Sequence, residues 1–181
     1  MEFRLEEVIS ILERTPTVLR TLLQAMPESF IRTNEGEGTW SPFDVIGHLV
    51  HGEKTDWIPR AQRILEDGER RPFEPFDRFA HFQASKGKAL VDLLDEFSRE
   101  RARSLATLRG MKLTDIHLER TGQHPLIGRV TLRELMATWA VHDMDHIAQI
   151  VRAIAKGYTA AVGPWGNHLG ILSDRTARKA E

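Results

Sequence analysis

From Leu132 to Ala153 the residues Leu132, Leu135, Trp139, His142, His146, Ile150 and Ala153 recur at spacings of three and four. That period marks one face of an α-helix. The face is apolar except at the two histidines, which stand four residues apart and so project from one side of the helix, one turn from each other. A buried imidazole needs a partner for each ring nitrogen or it costs free energy. The stretch therefore predicts a metal site, in which one cation satisfies both lone pairs, or else two histidines satisfied in the core without metal.

Three further helical stretches accompany this one. Leu5, Val8, Ile9, Leu12, Leu19, Leu22, Leu23 and Met26 follow helical spacing. Within that run Thr15-Pro16 marks a second helix start or a kink, and Pro27 ends it. Trp40-Ser41-Pro42-Phe43-Asp44 announces a second helix, with Ser41 as cap and Pro42 at the first position. It runs towards Leu65 with a kink at Pro59. The fourteen residues from Glu66 to Phe79 are more than adjacent antiparallel helices need, so they predict a crossover over the bundle end. A third helix covers about 81–109, with Leu90, Leu93, Leu94, Phe97, Leu105 and Leu108 on one stripe. Arg101 interrupts that stripe. It is read as burying its stem and carrying its head to solvent, the alternative being an anion contact near a site.

The segment Gly122–Gly128 reads as a structured loop, after which Thr131 and Glu134 form a capping box for the fourth helix. That helix runs to about Lys156, with Gly157 as its C-cap, and Val162–Leu169 reads as a last short helix. No strand pattern is evident. The expectation is an all-α four-helix bundle with short additional helices, formed by residues 1–181 as a single domain. The tryptophans Trp40, Trp57, Trp139 and Trp165 are assigned to the core.

Charge and composition narrow the function. Lys plus Arg total 25 and Asp plus Glu 26, so no global field draws nucleic acid or an anionic membrane. The absence of cysteine removes disulfides, thiolate ligands and a cysteine nucleophile. No signal-peptide pattern opens the sequence and no apolar run reaches the roughly 20 residues of a membrane span. The expectation is a soluble cytoplasmic protein acting on a small molecule, without nucleic-acid or membrane partners.

Catalytic metal sites usually take three protein ligands, so His142 and His146 need a third. The best placed is His48, on the second helix at the border of its apolar face. His51 is the rival, pointing further from the stripe. His81, His117, His124 and His168 lie at helix ends or in loops. Of these, His124 is the most interesting, because it just precedes the histidine helix. Glu53 falls between Leu49 and Trp57 on an apolar face, a poor place for a lone carboxylate. It is a candidate general base or an acceptor orienting a ligand histidine, unless it makes an ion pair to a neighbouring helix. Asp143 and Asp145 project to other faces, in solvated or inter-helix roles, with Asp145 the better placed to support a ligand.

The chain resembles the DinB/YfiT-like proteins, a family of metal-dependent enzymes. The matching features are Trp40-Ser41-Pro42 with Gly47-His48-Leu49, Gly128-Arg129-Val130-Thr131-Leu132, the run His142-Asp143-Met144-Asp145-His146-Ile147-Ala148-Gln149-Ile150, and Val162-Gly163-Pro164-Trp165. They extend from about residue 10 to 172. The resemblance implies an up-down-down-up bundle and a three-histidine site of His48, His142 and His146 holding zinc or nickel, with water completing the shell. It also implies a homodimer. Many relatives carry a further histidine directly before the last ligand, where this chain has Asp145.

Three histidines leave a coordination position open, as in catalytic rather than structural sites. The expected reaction is hydrolysis by activated water, with Glu53 or His124 carrying protons. The resemblance implies an alternative, an S-transferase using a low-molecular-weight thiol such as bacillithiol or mycothiol, which suits a chain with no cysteine of its own. A non-enzymatic metal-binding stress-response protein is the remaining reading.

Overall fold

The computed structural model describes residues 2–173. Its first helix, α1 (Leu5–Leu23), runs unbroken through Pro16. Thr15 caps nothing, its hydroxyl bonding instead to the carbonyl of Ile11 at 3.2 Å. A short α2 (Glu28–Ile31) follows. At α3 (Pro42–Thr55) the expected start is present in full, with Ser41 and Asp44 forming a reciprocal capping box and Pro42 at the first helical position.

The second long helix breaks earlier than expected. The expected kink at Pro59 is replaced by a break at Asp56, after which α4 (Trp57–Glu66) begins. Pro59 then lies in the first turn of α4, where a backbone N–H has no intrahelical partner to lose. The expected third helix is likewise divided. A five-residue α5 (Ala80–Ala84) is separated from α6 (Leu90–Gly110) by a turn at Gly87, whose φ of +77° a side chain would oppose. A four-residue α7 (Asp115–Leu118) follows.

Two short strands correct the all-helical expectation at one point. β1 (Thr121–His124) pairs antiparallel with β2 (Gly128–Thr131), Thr121 facing Thr131 and His124 facing Gly128. Strands of four residues with little apolar alternation carry no period-two signal. The long connection is latched here, the amide of Phe73 donating to the carbonyl of Gln123 at 2.8 Å. A Cβ added at Gly122 would stand 2.7 Å from Ile64 Cγ1 and 3.0 Å from the Phe73 ring. Gly122→Ala should therefore cost about 1–3 kcal/mol through overpacking, measured by urea unfolding.

The hairpin delivers the chain into α8 (Leu132–Lys156), which starts at the expected Thr131–Glu134 capping box and ends at Gly157. Beyond it lie two 3₁₀ turns, Gly163–His168 and Gly170–Leu172. Trp165 in the first of these is 74 % exposed, which corrects its assignment to the core. Trp40, Trp57 and Trp139 are buried as expected.

Two clusters of core side chains give the direction of each helix. In one, Val8 and Leu12 near the start of α1 meet Ala61 and Ile64 of α4, Leu105 and Leu108 late in α6, and Leu132 and Met136 at the start of α8. In the other, Leu19 and Leu23 late in α1 meet Val45 and Ile46 early in α3, Leu93 and Phe97 early in α6, and Ile150 late in α8. The topology is up-down-down-up, with α3 and α4 acting as one long helix. Both α1 and α3 pack against α6 and α8, so they sit diagonally and α3 faces α8. No helix among the described residues is long and apolar enough to cross a membrane.

Candidate metal centre

Where α3 faces α8, three imidazoles converge. His48 Nε2 lies 3.2 Å from His142 Nε2, which lies 3.1 Å from His146 Nε2. The three could bind one ion, their ligand atoms all lying within 4.8 Å of one another. The structure thus brings His48 to the histidine pair, while His51 is turned to the Phe76 ring at 5.0 Å. His142 Nε2 has one site for a hydrogen or a lone pair, so only one of its two contacts can be a hydrogen bond. A single cation satisfies all three nitrogens, since bonds of about 2.0–2.1 Å in tetrahedral geometry put such nitrogens about 3.3 Å apart. The three side chains fit a divalent ion.

The surroundings keep His48 and His142 neutral and orient His146. The Nδ1–H of His146 donates to Gln149 Oε1 at 2.8 Å, which puts the ring's lone pair on Nε2, the atom facing His142. Burial, and then the neighbouring imidazoles, hold His48 at about 2, well below the ordinary 6.5. Burial and His146 bring His142 to about 3, against an opposing pull from Asp145. Trp40 lies over the cluster, its ring 4.7 Å from that of His48 and stacked at 6.2 Å on His146. Trp57 approaches His142 edge-on at 5.1 Å. His81 is fully buried, its ring centroid 4.8 Å from that of Trp40.

These shifts make a pH prediction for the metal-free protein. The folded pKa values of His48 and His142 lie below the unfolded value, so the histidine contribution is full above pH 6.5 and is lost as pH falls below it. The unfolded chain then takes protons that the fold excludes. Burial holds Asp56 up to about 6 and raises Glu53, and these carboxyls offset part of the loss by binding protons in the fold. The net fall from pH 7 to pH 5 should be about 2 kcal/mol, read by urea unfolding at each pH.

The three histidines lie on the wall of a cleft of about 1160 Å³, which Trp40, Phe76, Arg78, Asp145 and Gln149 also line. His124, at the end of β1, lines the same cleft. Its Nδ1 accepts from the backbone amides of Leu126 and Ile127 at 3.1 and 3.4 Å, so Nε2 carries its proton. Glu53 is elsewhere. The residue is 4 % exposed and its carboxylate takes the ion pair to a neighbouring helix, accepting from Arg101 Nη2 at 2.8 Å and from Trp139 Nε1 at 3.0 Å. Arg101 itself is 1 % exposed, which corrects the expectation that its head reaches solvent. Asp143 takes the inter-helix role, its two oxygens 2.6 and 2.9 Å from the guanidinium.

Sequence reasoning missed Gln149 as the partner of His146, although its position three residues on along α8 carries that signal. It also left Arg101 and Glu53 as separate misfits on two apolar faces. Opposite charges stranded on two core-facing stripes are each other's natural partners.

Comparison with known proteins agrees with this architecture. YfiT of Bacillus subtilis (strain 168), named as a candidate metal-dependent hydrolase, is 26% identical over 152 residues, covering 78% of this chain and 79% of that protein. The solved structure of Bacillus subtilis YfiT, described as an unusual four-helix-bundle topology, superposes with a TM-score of 0.73 at 24% identity. That match covers 87% of this chain and 93% of the other. Residues 11–150, from within α1 to late in α8, match the DinB superfamily. A bundle of this topology, and a family match that takes in both histidine-bearing helices, lead to one conclusion: the chain belongs to the DinB superfamily.

Proposed function

We propose that this chain is a metal-dependent hydrolase of small molecules, with His48, His142 and His146 holding zinc or nickel. The observation that carries the reading is the convergence of three imidazole nitrogens on the wall of a cleft. A divalent ion on three imidazoles keeps a position open for water or substrate and supplies Lewis acidity. The chain's own residues do the rest. Trp40, Trp57 and Phe76 shield the centre from bulk water, and the Gln149 carbonyl fixes the tautomer of His146. His124, anchored through Nδ1, carries protons at Nε2. Glu53 acts indirectly, through the groups it touches.

The test compares metal-loaded and chelator-stripped protein on a panel of esters, amides and phosphoesters, with and without low-molecular-weight thiols. Thiol-independent turnover that disappears on stripping and returns with zinc or nickel is the expected result. Turnover only in the presence of a thiol would transfer the site to the S-transferase reading, and a stoichiometric metal without turnover would favour a binding protein.

A cytoplasmic homodimer completes the proposal. Its support is a second stripe on α8, where Val141, Met144, Ala148 and Val151 are all exposed at alternating spacings of three and four. That pattern suits packing against another helix. A monomeric mass in sedimentation equilibrium would remove the dimer from the account.

A further inference from the structure

Beside the histidines lies a buried cluster to which each of the four long helices contributes. Arg101 of α6 donates through Nε and Nη2 to Glu53 Oε1 on α3, at 3.0 and 2.8 Å. Its Nη1 and Nη2 reach Asp143 of α8 at 2.6 and 2.9 Å. Nη1 also donates to the carbonyl of Leu12 on α1 at 2.8 Å. That carbonyl is free because Pro16, four residues on, has no N–H to offer it. Trp139 of α8 adds a bond to Glu53 Oε1 at 3.0 Å. Arg101, Glu53 and Asp143 are 1 %, 4 % and 0 % exposed.

Two features exceed what a structural tie requires. One arginine faces two carboxylates, so with both ionised the cluster carries a surplus negative charge, against which burial raises the Glu53 pKa. One carboxylate would suffice to neutralise Arg101, and a second buried acid is costly. Moreover, Glu53 Oε2 has no hydrogen-bond partner of good geometry. The cluster is also joined to the histidines by the chain itself. Asp143 directly follows His142, and Glu53 lies five residues beyond His48 on the same helix. Trp57 stacks on Trp139 at 5.6 Å and meets His142 edge-on at 5.1 Å, bridging the two layers. An ion held by three neutral imidazoles brings its full charge into a buried place, where an uncompensated cation is unfavourable.

We propose that Arg101, Glu53 and Asp143 are positioning residues of the metal centre. They fix the register of α3 against α8 so that His48 meets His142 and His146, and their surplus negative charge offsets part of a bound cation. The inference rests on the metal reading of the three histidines. It separates the two carboxylates by role. Asp143 balances the guanidinium, and Glu53 supplies the excess.

The test measures zinc affinity of the folded protein by competition with a chromophoric chelator, for wild type, Glu53→Gln and Arg101→Lys, with thermal unfolding of each metal-free form alongside. Glu53→Gln keeps the shape and an acceptor oxygen for Trp139 and Arg101, so it should fold. It should nevertheless bind zinc roughly tenfold or more weakly, the range seen when groups supporting metal ligands are removed. Arg101→Lys keeps the charge but loses the fork that spans two carboxylates, and it too should bind more weakly. Variants that bind zinc as tightly as wild type, with only their melting temperatures changed, would reduce the cluster to a structural tie and overturn the proposal. Wild-type protein that binds no zinc would overturn the metal reading and this inference together, an outcome distinct from the first.

Discussion

His146→Ala should lose at least about a hundredfold in zinc or nickel affinity, since removing a group that merely supports a ligand already costs 10–100-fold. His146 is one of three imidazoles whose nitrogens sit 3.1–3.2 Å apart along the contacts to His142. Without it the ion keeps two protein ligands, fewer than catalytic sites use. The substitution should leave the fold in place, because the Nδ1 bond it removes runs to Gln149, a neighbour on its own helix. Metal content after dialysis, measured on protein made without a histidine tag, checks this. Undiminished metal in the variant would show that the ion sits elsewhere.

Arg101→Ala should have the largest effect on stability. It removes the only cation bonded to Glu53 and Asp143 among the described residues. It also removes the donor to Leu12, whose carbonyl Pro16 cannot serve. Breaking a buried ion pair on one side costs about 3–5 kcal/mol, because the surviving charge is left in a medium that does not solvate it. Against a total stability of about 5–15 kcal/mol, that is enough to unfold a marginal protein. Urea denaturation at neutral pH gives the number. A loss below about 1 kcal/mol would mean that both carboxylates find protons or water in the variant.

How legible these features were in the sequence follows from the range of the forces behind them. The α8 helix was readable almost to the residue, since its cap, period and end are set by neighbours three or four positions away. Likewise Ser41, Pro42 and Asp44 fixed the start of α3. The break at Asp56 was misplaced at Pro59, because proline disturbs the turn before itself and not its own position. The β1–β2 hairpin escaped notice because four-residue strands show no alternation, and their pairing was latched by Phe73 from a distant loop. Trp165 illustrates the limit of residue type as a guide to burial, being large, apolar and outside.

The histidine centre was half legible. Spacing alone placed His142 and His146 together, while His48 lies 94 positions away and rested on helix-face geometry and on resemblance. The Arg101 cluster was harder still. Its members sit on different helices; Glu53 and Arg101 each looked like an isolated exception to an apolar stripe, and Asp143 projected to another face. Only the bundle topology makes Glu53, Arg101 and Asp143 neighbours.

The central claim is that His48, His142 and His146 bind one divalent ion. It is tested most directly by elemental analysis joined to X-ray absorption on untagged protein purified without added metal and then titrated with zinc. The account predicts one equivalent per chain, with three imidazole nitrogens at about 2.0–2.1 Å and an additional light-atom ligand. No stoichiometric metal, or a bound ion lacking imidazole scattering, would contradict it.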